Sequence, residues 1–195
     1  MRTNKTTGNT GISFMDNLHD LFLSRHSIRR YTEQEISAED VRTILEAALL
    51  SPSSKSARPW QFVVVEDKSM LNRLSECKQF GAKPVAGAAF AVVVTVSPEK
   101  SDVYLEDASV AAIMMHLQAA SLGIGSCWIQ VRERYAADGE AAEDIVRELL
   151  GIPSDMVVEC IMTFGYSAET RRPVDPSKLL WEKVHIGTWN QQQAD

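Results

Sequence analysis

The chain has 195 residues, of which 45% are hydrophobic and 24% are charged, and its formal net charge is −6. This length and composition predict one globular domain that buries most of its apolar surface. The acidic balance argues against nucleic acid and anionic membrane surfaces as partners, because both require a broad basic face. An anion that binds this chain must therefore be held by a local group of cations.

Residues 1–14 are polar and aperiodic and lack the apolar core of a signal peptide, so we expect a disordered tail followed by a single domain over residues 15–195. No uncharged apolar run reaches the roughly 18 residues of a membrane span. Three widely spaced cysteines, Cys77, Cys127 and Cys160, predict neither a disulfide framework nor a zinc site. Reduced thiols in a cytoplasm fit this pattern.

The first half of the chain alternates between helical and strand patterns. Leu18, Leu21 and Phe22 share one face of a predicted helix, and Ser37 is the expected N-cap of a second helix over AEDVRTILEAALL. The segment WQFVVVED predicts a buried strand, KSMLNRLSECK a short helix, and AAFAVVVTVS a second strand.

The second half begins with DVYLEDASVAAIMMHLQAASLG, a predicted helix that is apolar on most of its circumference. Such a helix belongs either in the core or in a subunit interface. The segment GSCWIQV predicts a short strand or loop, EAAEDIVRELLG a helix that ends at Gly151, and MVVECIMTFGYS a last strand. The irregular sequence after Tyr166 predicts a tail that wraps over a surface.

Three patterns suggest chemistry, but each favours a structural role. Met114, Met115 and His116 lie in the apolar helix without another ligand at metal-binding spacing, so core packing is favoured. The lone GxG of SLGIGSCW follows a helix and lacks the strand that precedes a dinucleotide-binding loop, and SPSSKS has no GxSxG nucleophile elbow. We therefore predict no metal site and no catalytic side chain.

Two donor-rich segments remain. RHSIRR, residues 25–30, contains three arginines, a histidine and a serine, which suits either a bound anion or a solvated charged turn. SPSSKSARPW, residues 51–60, places hydroxyls, a cation and an aromatic ring between an apolar helix and a strand, where ligands are commonly bound. Two such segments suggest one elongated anionic ligand.

These segments carry a resemblance to a known family. R-x-S-x-R at residues 25–29, P-S-x-x-x-x-x-P-W at residues 52–60, GIGSCWI and FGYSAE occur in this order. On these motifs, over about residues 17–183, the chain is identified as similar to the FMN-dependent nitroreductase family, which includes NAD(P)H:flavin oxidoreductases.

The resemblance implies an α+β fold with a mixed central sheet flanked by helices, and an intertwined homodimer with two FMN sites at its interface. It implies FMN as cofactor, NADH or NADPH as reductant, and ping-pong hydride transfer to a nitroaromatic, a quinone or a similar small electron-poor acceptor. Other branches of the family dehalogenate aromatics or cleave the flavin. Two alternatives belong to functional classes other than enzymes. One is a flavin-binding module without turnover, and the other is an acidic helical interaction domain.

The resemblance also implies residue roles in the R-x-S-x-R segment. Arg25, His26 and Ser27 correspond to the residues that hold the FMN phosphate, and Arg29 to the cation at the N1/C2=O edge of the flavin ring. A guanidinium group can bind two phosphate oxygens at once through two parallel hydrogen bonds. A fixed cation near N1 stabilises the negative charge of reduced flavin. A late basic residue completes the phosphate site, and Lys178 is the first candidate, followed by Lys183.

The rest of the implied site comes from two further segments. One reaches the flavin from the other subunit and comprises Pro52, Ser53, Ser54, Ser56 and Arg58. Family members commonly carry Asn and Gln where this chain has Ser56 and Arg58. The other segment faces flavin N5 and O4 with backbone N–H groups and comprises Trp128, Ile129, Gln130 and Val131.

Overall fold

Residues 18–189 are described by a computed structural model; the predicted tail, residues 1–14, lies outside this range. The described helices are α1 (Leu18–Ser24), α2 (Ala38–Leu49), α3 (Lys68–Leu74), α4 (Tyr104–Ser121) and α5 (Ala142–Leu150). The described strands are β1 (Trp60–Val65), β2 (Phe90–Val96), β3 (Gly125–Gln130) and β4 (Val157–Gly165). Each predicted helix and strand is confirmed, and GSCWIQV forms the strand β3 rather than a loop.

The strands form one sheet in the order β1-β2-β4-β3, and each neighbouring pair is antiparallel. Helices α2 and α4 cover one face and α3 and α5 the other, each with its own apolar cluster. Every residue of the central strand β2 is buried, which explains its continuous run of apolar residues. The α+β fold is confirmed. Within residues 18–189, the only parallel pairing is an isolated bridge between Ser27 and Ser126.

Local signals explain where the helices begin and end. Ser37 is the N-cap of α2, because its Oγ accepts a hydrogen bond from the Asp40 N–H at 3.1 Å. Helix α5 ends at Gly151, which has a left-handed φ of +66°. Helix α4 is apolar on most of its circumference because it packs between α2 and the four strands of the sheet.

The tail after Tyr166 first pairs with the segment that follows α1. The Val174 N–H donates to the Leu23 carbonyl at 2.8 Å, and the Ala168 N–H donates to the Arg30 carbonyl at 2.9 Å. Beyond this pairing, the tail exposes large apolar side chains to solvent, namely Leu180, Trp181, Val184, Ile186 and Trp189. The predicted wrapping tail therefore lies first on its own chain and then presents an apolar surface.

Candidate functional site

The cationic segment, residues 25–31, wraps around the free edge of β3. Arg25 directly follows α1, and the Ile28 N–H donates to the Ser126 carbonyl at 3.0 Å, so the segment is extended where it meets the strand. Ser126 belongs to the face of β3 that packs against α4, whereas Ile28 and Tyr31 cover the opposite face. The segment thus carries groups to both faces of the sheet at its edge.

Two glycines allow this close passage. Gly125 and Gly165 are paired directly across β3 and β4. A Cβ atom at Gly125 would lie 2.9 Å from the Ile28 side chain, and one at Gly165 would lie 2.7 Å from the Tyr31 ring. Burial raises the pKa of the Tyr31 phenol, so this ring stays a neutral donor to the Ile28 carbonyl. Gly125, part of the GxG that resembled a dinucleotide loop, therefore serves close packing.

Arg25 is held by a buried histidine. Its Nη1 lies 2.6 Å from His116 Nε2, and His116 Nδ1 contacts the Ser126 Oγ. The His116 side chain is only 6% exposed, and burial together with the Arg25 charge lowers its pKa to about 4. Sequence analysis assigned His116 to core packing. One signal in the sequence could have revealed a polar role. A histidine on the apolar, sheet-facing side of a helix is buried, and a buried polar group requires a hydrogen-bond partner.

The other cations of this segment contact the tail. The Glu169 carboxylate accepts from the Arg29 N–H at 2.9 Å and forms ion pairs with Arg171 at 3.1 Å and Arg30 at 3.7 Å. The Arg29 backbone bond, followed by the charges of Arg171 and Arg30, lowers the pKa of Glu169. The Arg29 side chain itself is exposed, and its only described hydrogen bond is a long one, 3.4 Å, to the Ser27 carbonyl.

Two predicted phosphate ligands are placed differently from Arg25. His26 Nε2 donates to the Arg172 carbonyl at 2.8 Å, so its ring can donate to an anion only through Nδ1 and only when it is doubly protonated. Lys178 lies exposed in a short turn at Pro176–Lys178 and makes no ion pair with another described residue. The same holds for Lys183 in the next turn, Trp181–Lys183.

The backbone of β3 presents two of the four predicted N–H groups at the sheet edge. The Val131 N–H donates to the Glu159 carbonyl at 3.1 Å, and by strand alternation the Ile129 N–H also points towards β4. The N–H groups of Trp128 and Gln130 point the other way, off the open edge. The resemblance implied a contribution from all four amides, whereas the pairing with β4 turns those of Ile129 and Val131 away from the edge.

The second donor-rich segment forms a strained loop between α2 and β1. Three non-glycine residues, Lys55, Ser56 and Arg58, have left-handed φ angles of 52°, 55° and 46°. The Ser53 hydroxyl closes the loop by accepting from the Arg58 N–H at 2.9 Å. Such a concentration of unfavourable backbone angles is typical of ligand sites, because the surrounding structure must hold them in place.

A buried carboxylate anchors this loop to α4. Asp107 is 4% exposed and accepts from the Ser54 N–H at 2.8 Å and from the Ser101 hydroxyl at 2.7 Å. At the ends of the same segment, the buried Ser51 Oγ and Trp60 Nε1 have no hydrogen-bond partner among the described residues. Pro52, Ser56 and Arg58 expose their side chains, beside a cleft of about 320 Å³ that Ser54 and Lys55 help to line.

The structure does not bring these two segments together within one chain. Asp107 and His116 are nine residues apart on α4. That spacing corresponds to about 13 Å along the axis and two and a half turns, so the two side chains leave opposite faces of the helix. Residues 25–29 therefore lie beside β3, whereas the loop over residues 52–58 lies at the other end of α4.

The model of the Nitroreductase family matches residues 23–79 and 75–166. The chain belongs to the nitroreductase family. A protein of Archaeoglobus fulgidus, provisionally named NADH dehydrogenase/NAD(P)H nitroreductase, is 38% identical over 161 residues, which cover 80% of this chain and 89% of the relative. The structure of an FMN-dependent nitroreductase from Clostridium difficile R20291 superposes with a TM-score of 0.86 and 44% identity, covering 88% of this chain and 100% of the other.

A second relative supports the same family. A protein of Methanothermobacter thermautotrophicus with the same provisional name is 33% identical over 184 residues, which cover 91% of this chain and 90% of the relative. The prediction that the chain is an oxidoreductase of the nitroreductase family is thereby confirmed.

A further concavity lies elsewhere. It has a volume of about 470 Å³ and contains none of the predicted site residues of this nitroreductase. Glu33, Glu35 and Glu66 line it, and Lys68 is the single cation among the described lining residues. Carboxylates repel a phosphate group, so we assign this concavity no part in anion binding.

Residues 18–189 contain neither a metal-binding cluster nor a membrane-spanning helix. No group of three or more His, Cys, Asp or Glu side chains in that range could hold a metal ion. No helix in the same range is both long enough and apolar enough to cross a membrane.

Proposed function

We propose that the protein is an FMN-dependent oxidoreductase that uses NADH or NADPH to reduce electron-poor acceptors such as nitroaromatic compounds and quinones. The observation that carries this proposal is the arrangement at the edge of β3. There, the Arg25 guanidinium, which has no ion-pair partner among the described residues, is linked through His116 to Ser126 of β3, and the backbone N–H groups of Trp128 and Gln130 point outward from the same strand. An anionic group and a planar polar ring edge are the ligand features that such donors recognise.

The phosphate end of FMN fits the first part of this arrangement. Arg25 supplies fixed donors with a full positive charge, and Ser27 lies beside it at the bridge to Ser126. A protonated His26 can add one donor through Nδ1, and Lys178 is proposed to close the phosphate site from the tail. In a chain of net charge −6, this local cationic segment is where a phosphate can be bound.

The ring end of FMN fits the second part. The Trp128 and Gln130 N–H groups would donate to the polar edge of the isoalloxazine, and the exposed Arg29 guanidinium would place a cation near N1. FMN, when bound, supplies the hydride chemistry, namely reduction by NADH or NADPH and reoxidation by the acceptor in two separate ping-pong half-reactions. We assign no side chain a catalytic proton-transfer role.

The loop over residues 52–58 is proposed to complete the site of a second copy of the chain. Its anchor on the opposite face of α4 from His116 keeps it from the cationic segment of its own chain. An intertwined homodimer of two domains, each spanning residues 15–195, would bring one loop to each cationic segment. The exposed apolar tail from Leu180 to Trp189 supports this assembly, because contiguous apolar surface favours association.

The cysteines support a reducing compartment. Cys77, Cys127 and Cys160 are all free and buried. Free buried thiols without disulfides are usual in the cytoplasm, where thiols are kept reduced. We propose a cytoplasmic location on this basis.

The absorbance spectrum of the purified protein, before and after addition of FMN, is the first test. We expect a yellow protein that releases FMN on denaturation. Anaerobic titration with NADH and then NADPH should bleach the flavin absorbance, and addition of a nitroaromatic compound or a quinone should restore it.

The controls use the same preparation. Buffer without acceptor should leave the bleached spectrum unchanged under anaerobic conditions. A colourless protein that does not bind added FMN would overturn the proposal, and a yellow protein that neither nicotinamide bleaches would favour a flavin-binding module without turnover.

A further inference from the structure

The strongest unexplained feature of the molecule is a buried polar chain behind the predicted phosphate site. It runs from the Arg25 guanidinium through the His116 imidazole to the Ser126 hydroxyl. His116 and Ser126 are buried, and the Ser126 carbonyl also accepts from the Ile28 N–H at 3.0 Å. One strand residue therefore positions both the imidazole and the backbone of the cationic segment.

The hydrogen-bond directions in this chain follow from the chemistry of the groups. A guanidinium only donates, so His116 Nε2 must accept from Arg25. The imidazole is then neutral, its proton is on Nδ1, and that N–H donates to the Ser126 Oγ. The lowered pKa of His116 agrees with this assignment, since burial and the neighbouring Arg25 both disfavour a second proton.

A neutral acceptor has a different effect from a carboxylate. In the same segment, Arg30 is an ion-pair partner of Glu169, which also pairs with Arg171, so part of the charge there is compensated within the protein. His116 instead takes up one of the five donors of Arg25 and leaves its charge uncompensated. The guanidinium is thus held in a fixed place while it keeps its attraction for an anion.

We propose that His116 is a positioning residue that holds Arg25 for the phosphate of the bound flavin, and that its neutrality is what makes it suitable for this task. This role rests on the proposed function, in which Arg25 binds the FMN phosphate. No ligand contact by His116 itself is required, because it acts through Arg25.

Three substitutions of His116 separate position from charge. His116→Leu removes the acceptor, His116→Gln keeps a neutral acceptor at a similar distance from the helix, and His116→Glu keeps an acceptor but adds a negative charge. Affinity of the apoprotein for FMN is measured by calorimetry at pH 7. We expect about a tenfold loss for His116→Leu, a loss within about threefold for His116→Gln, and a loss at least as large as that of the leucine variant for His116→Glu.

Two comparisons exclude a merely structural effect. In an Arg25→Ala background, His116→Leu should cause no further loss of FMN affinity, because there is then no guanidinium to position. Met115→Leu, a conservative change at the neighbouring buried position of α4, should bind FMN like the wild type. Additive losses in the double variant would overturn the positioning role, as would an unchanged affinity for His116→Glu.

A measurement on the wild-type protein requires neither a variant nor FMN. Nitrogen-15 NMR of labelled histidine at pH 7 should show one neutral ring protonated at Nδ1, and this signal should shift in Arg25→Ala. A doubly protonated His116 at pH 7 would overturn the neutral anchor. Failure of the wild type to bind FMN would overturn the proposed function and this role together, whereas tight wild-type binding with equal affinity in all His116 variants would overturn this role alone.

Discussion

The two donor-rich segments are both held by α4, but in opposite ways. The cationic segment is held through a side chain, since the Arg25 guanidinium donates to the neutral His116 ring. The loop is held through its backbone, since the Ser54 N–H donates to the Asp107 carboxylate. One anchor holds the Arg25 charge in place and leaves it available to a ligand, whereas the other holds the loop backbone in place and leaves the side chains of Ser56 and Arg58 exposed.

This difference predicts where each segment tolerates substitution. In the cationic segment the side chains are what the structure positions, so changing Arg25 should act directly on ligand affinity. In the loop, the fold holds the left-handed backbone in place. The side chains of Ser56 and Arg58 are exposed and are not held. This permits Ser56 and Arg58 to stand where the family resemblance implies Asn and Gln, provided that the Asp107 anchor is kept.

The largest expected effect tests whether the two segments meet across a dimer. Subunits with Arg25→Ala are mixed with subunits carrying Ser54→Trp and Arg58→Glu, and the mixture is refolded together. Each parent alone should lose most of its FMN during purification, because each of its sites contains a damaged half. Heterodimers should contain one intact site and recover FMN to half occupancy, measured by absorbance after purification on two different tags. Verified heterodimers without FMN would mean that both segments serve a site within one chain.

The pH dependence of stability tests the neutral anchor. The pKa of His116 is about 4 in the folded protein against an ordinary value of 6.5, so the folded state binds fewer protons. The associated stability is fully present above pH 6.5 and is lost as the pH falls towards 4. Between pH 7 and pH 4 the wild type should lose about 3 kcal/mol more unfolding free energy than His116→Gln, measured by urea denaturation. Equal losses in both proteins would contradict a buried neutral His116.

The loop anchor should show its effect in folding stability. Asp107→Ala leaves the Ser54 N–H and the Ser101 hydroxyl without their acceptor, which should lower the free energy of unfolding by about 2 to 3 kcal/mol. Asp102→Ala is the matched control, since Asp102 contacts the same loop only through an exposed ion pair with Lys55. That control should change stability by less than about 1 kcal/mol. Similar losses in the two variants would show that the buried anchor has no special role.

The cationic segment should show its effect in affinity instead. Arg25→Ala should weaken FMN binding by about 1.5 to 3 kcal/mol, the range of a hydrogen bond to a charged group. Arg42→Ala, which removes an exposed arginine of α2, should leave affinity unchanged. A folded Arg25→Ala protein that binds FMN as tightly as the wild type would remove Arg25 from the site.

The smallest expected effect concerns the electronics of the ring. Arg29→Leu should lower the flavin reduction potential by about 20 mV, which corresponds to about 1 kcal/mol for two electrons. The cause is the loss of a cation near N1. The effect is small because the Arg29 side chain is exposed and solvent screens its charge. Arg30→Leu should change the potential less, because Glu169 already compensates its charge. If potentiometry shows no shift for Arg29→Leu, Arg29 does not face that edge.

The elements of the fold were readable from the sequence because their signals are local. The Ser37 cap, the apolar run of β2 and the terminal Gly151 each act within a few residues, and each prediction is confirmed. The family motifs also identified the two donor-rich segments, since each motif is a short contiguous stretch.

The contacts that organise the site could not be read in the same way. His116 meets Arg25 across 91 positions of sequence, and a histidine in an apolar helix is more often simply packed. The partner of the Val131 N–H depends on the register between β3 and β4, which no single strand encodes. The closeness of Gly125 and Gly165 to the cationic segment likewise arises only after the sheet has formed.

The open edge of β3 has a consequence for colloidal behaviour. The cationic segment covers this edge at Ser126, and the Lys78 ammonium binds the Gln130 carbonyl at 2.6 Å. The N–H groups of Trp128 and Gln130 remain as a short stretch of exposed strand edge. Strands of separate molecules can pair through such an edge. A flavin ring on those donors would act as a cap on that stretch. Loss of a flavin bound there would then uncover a stretch of strand edge through which molecules can associate.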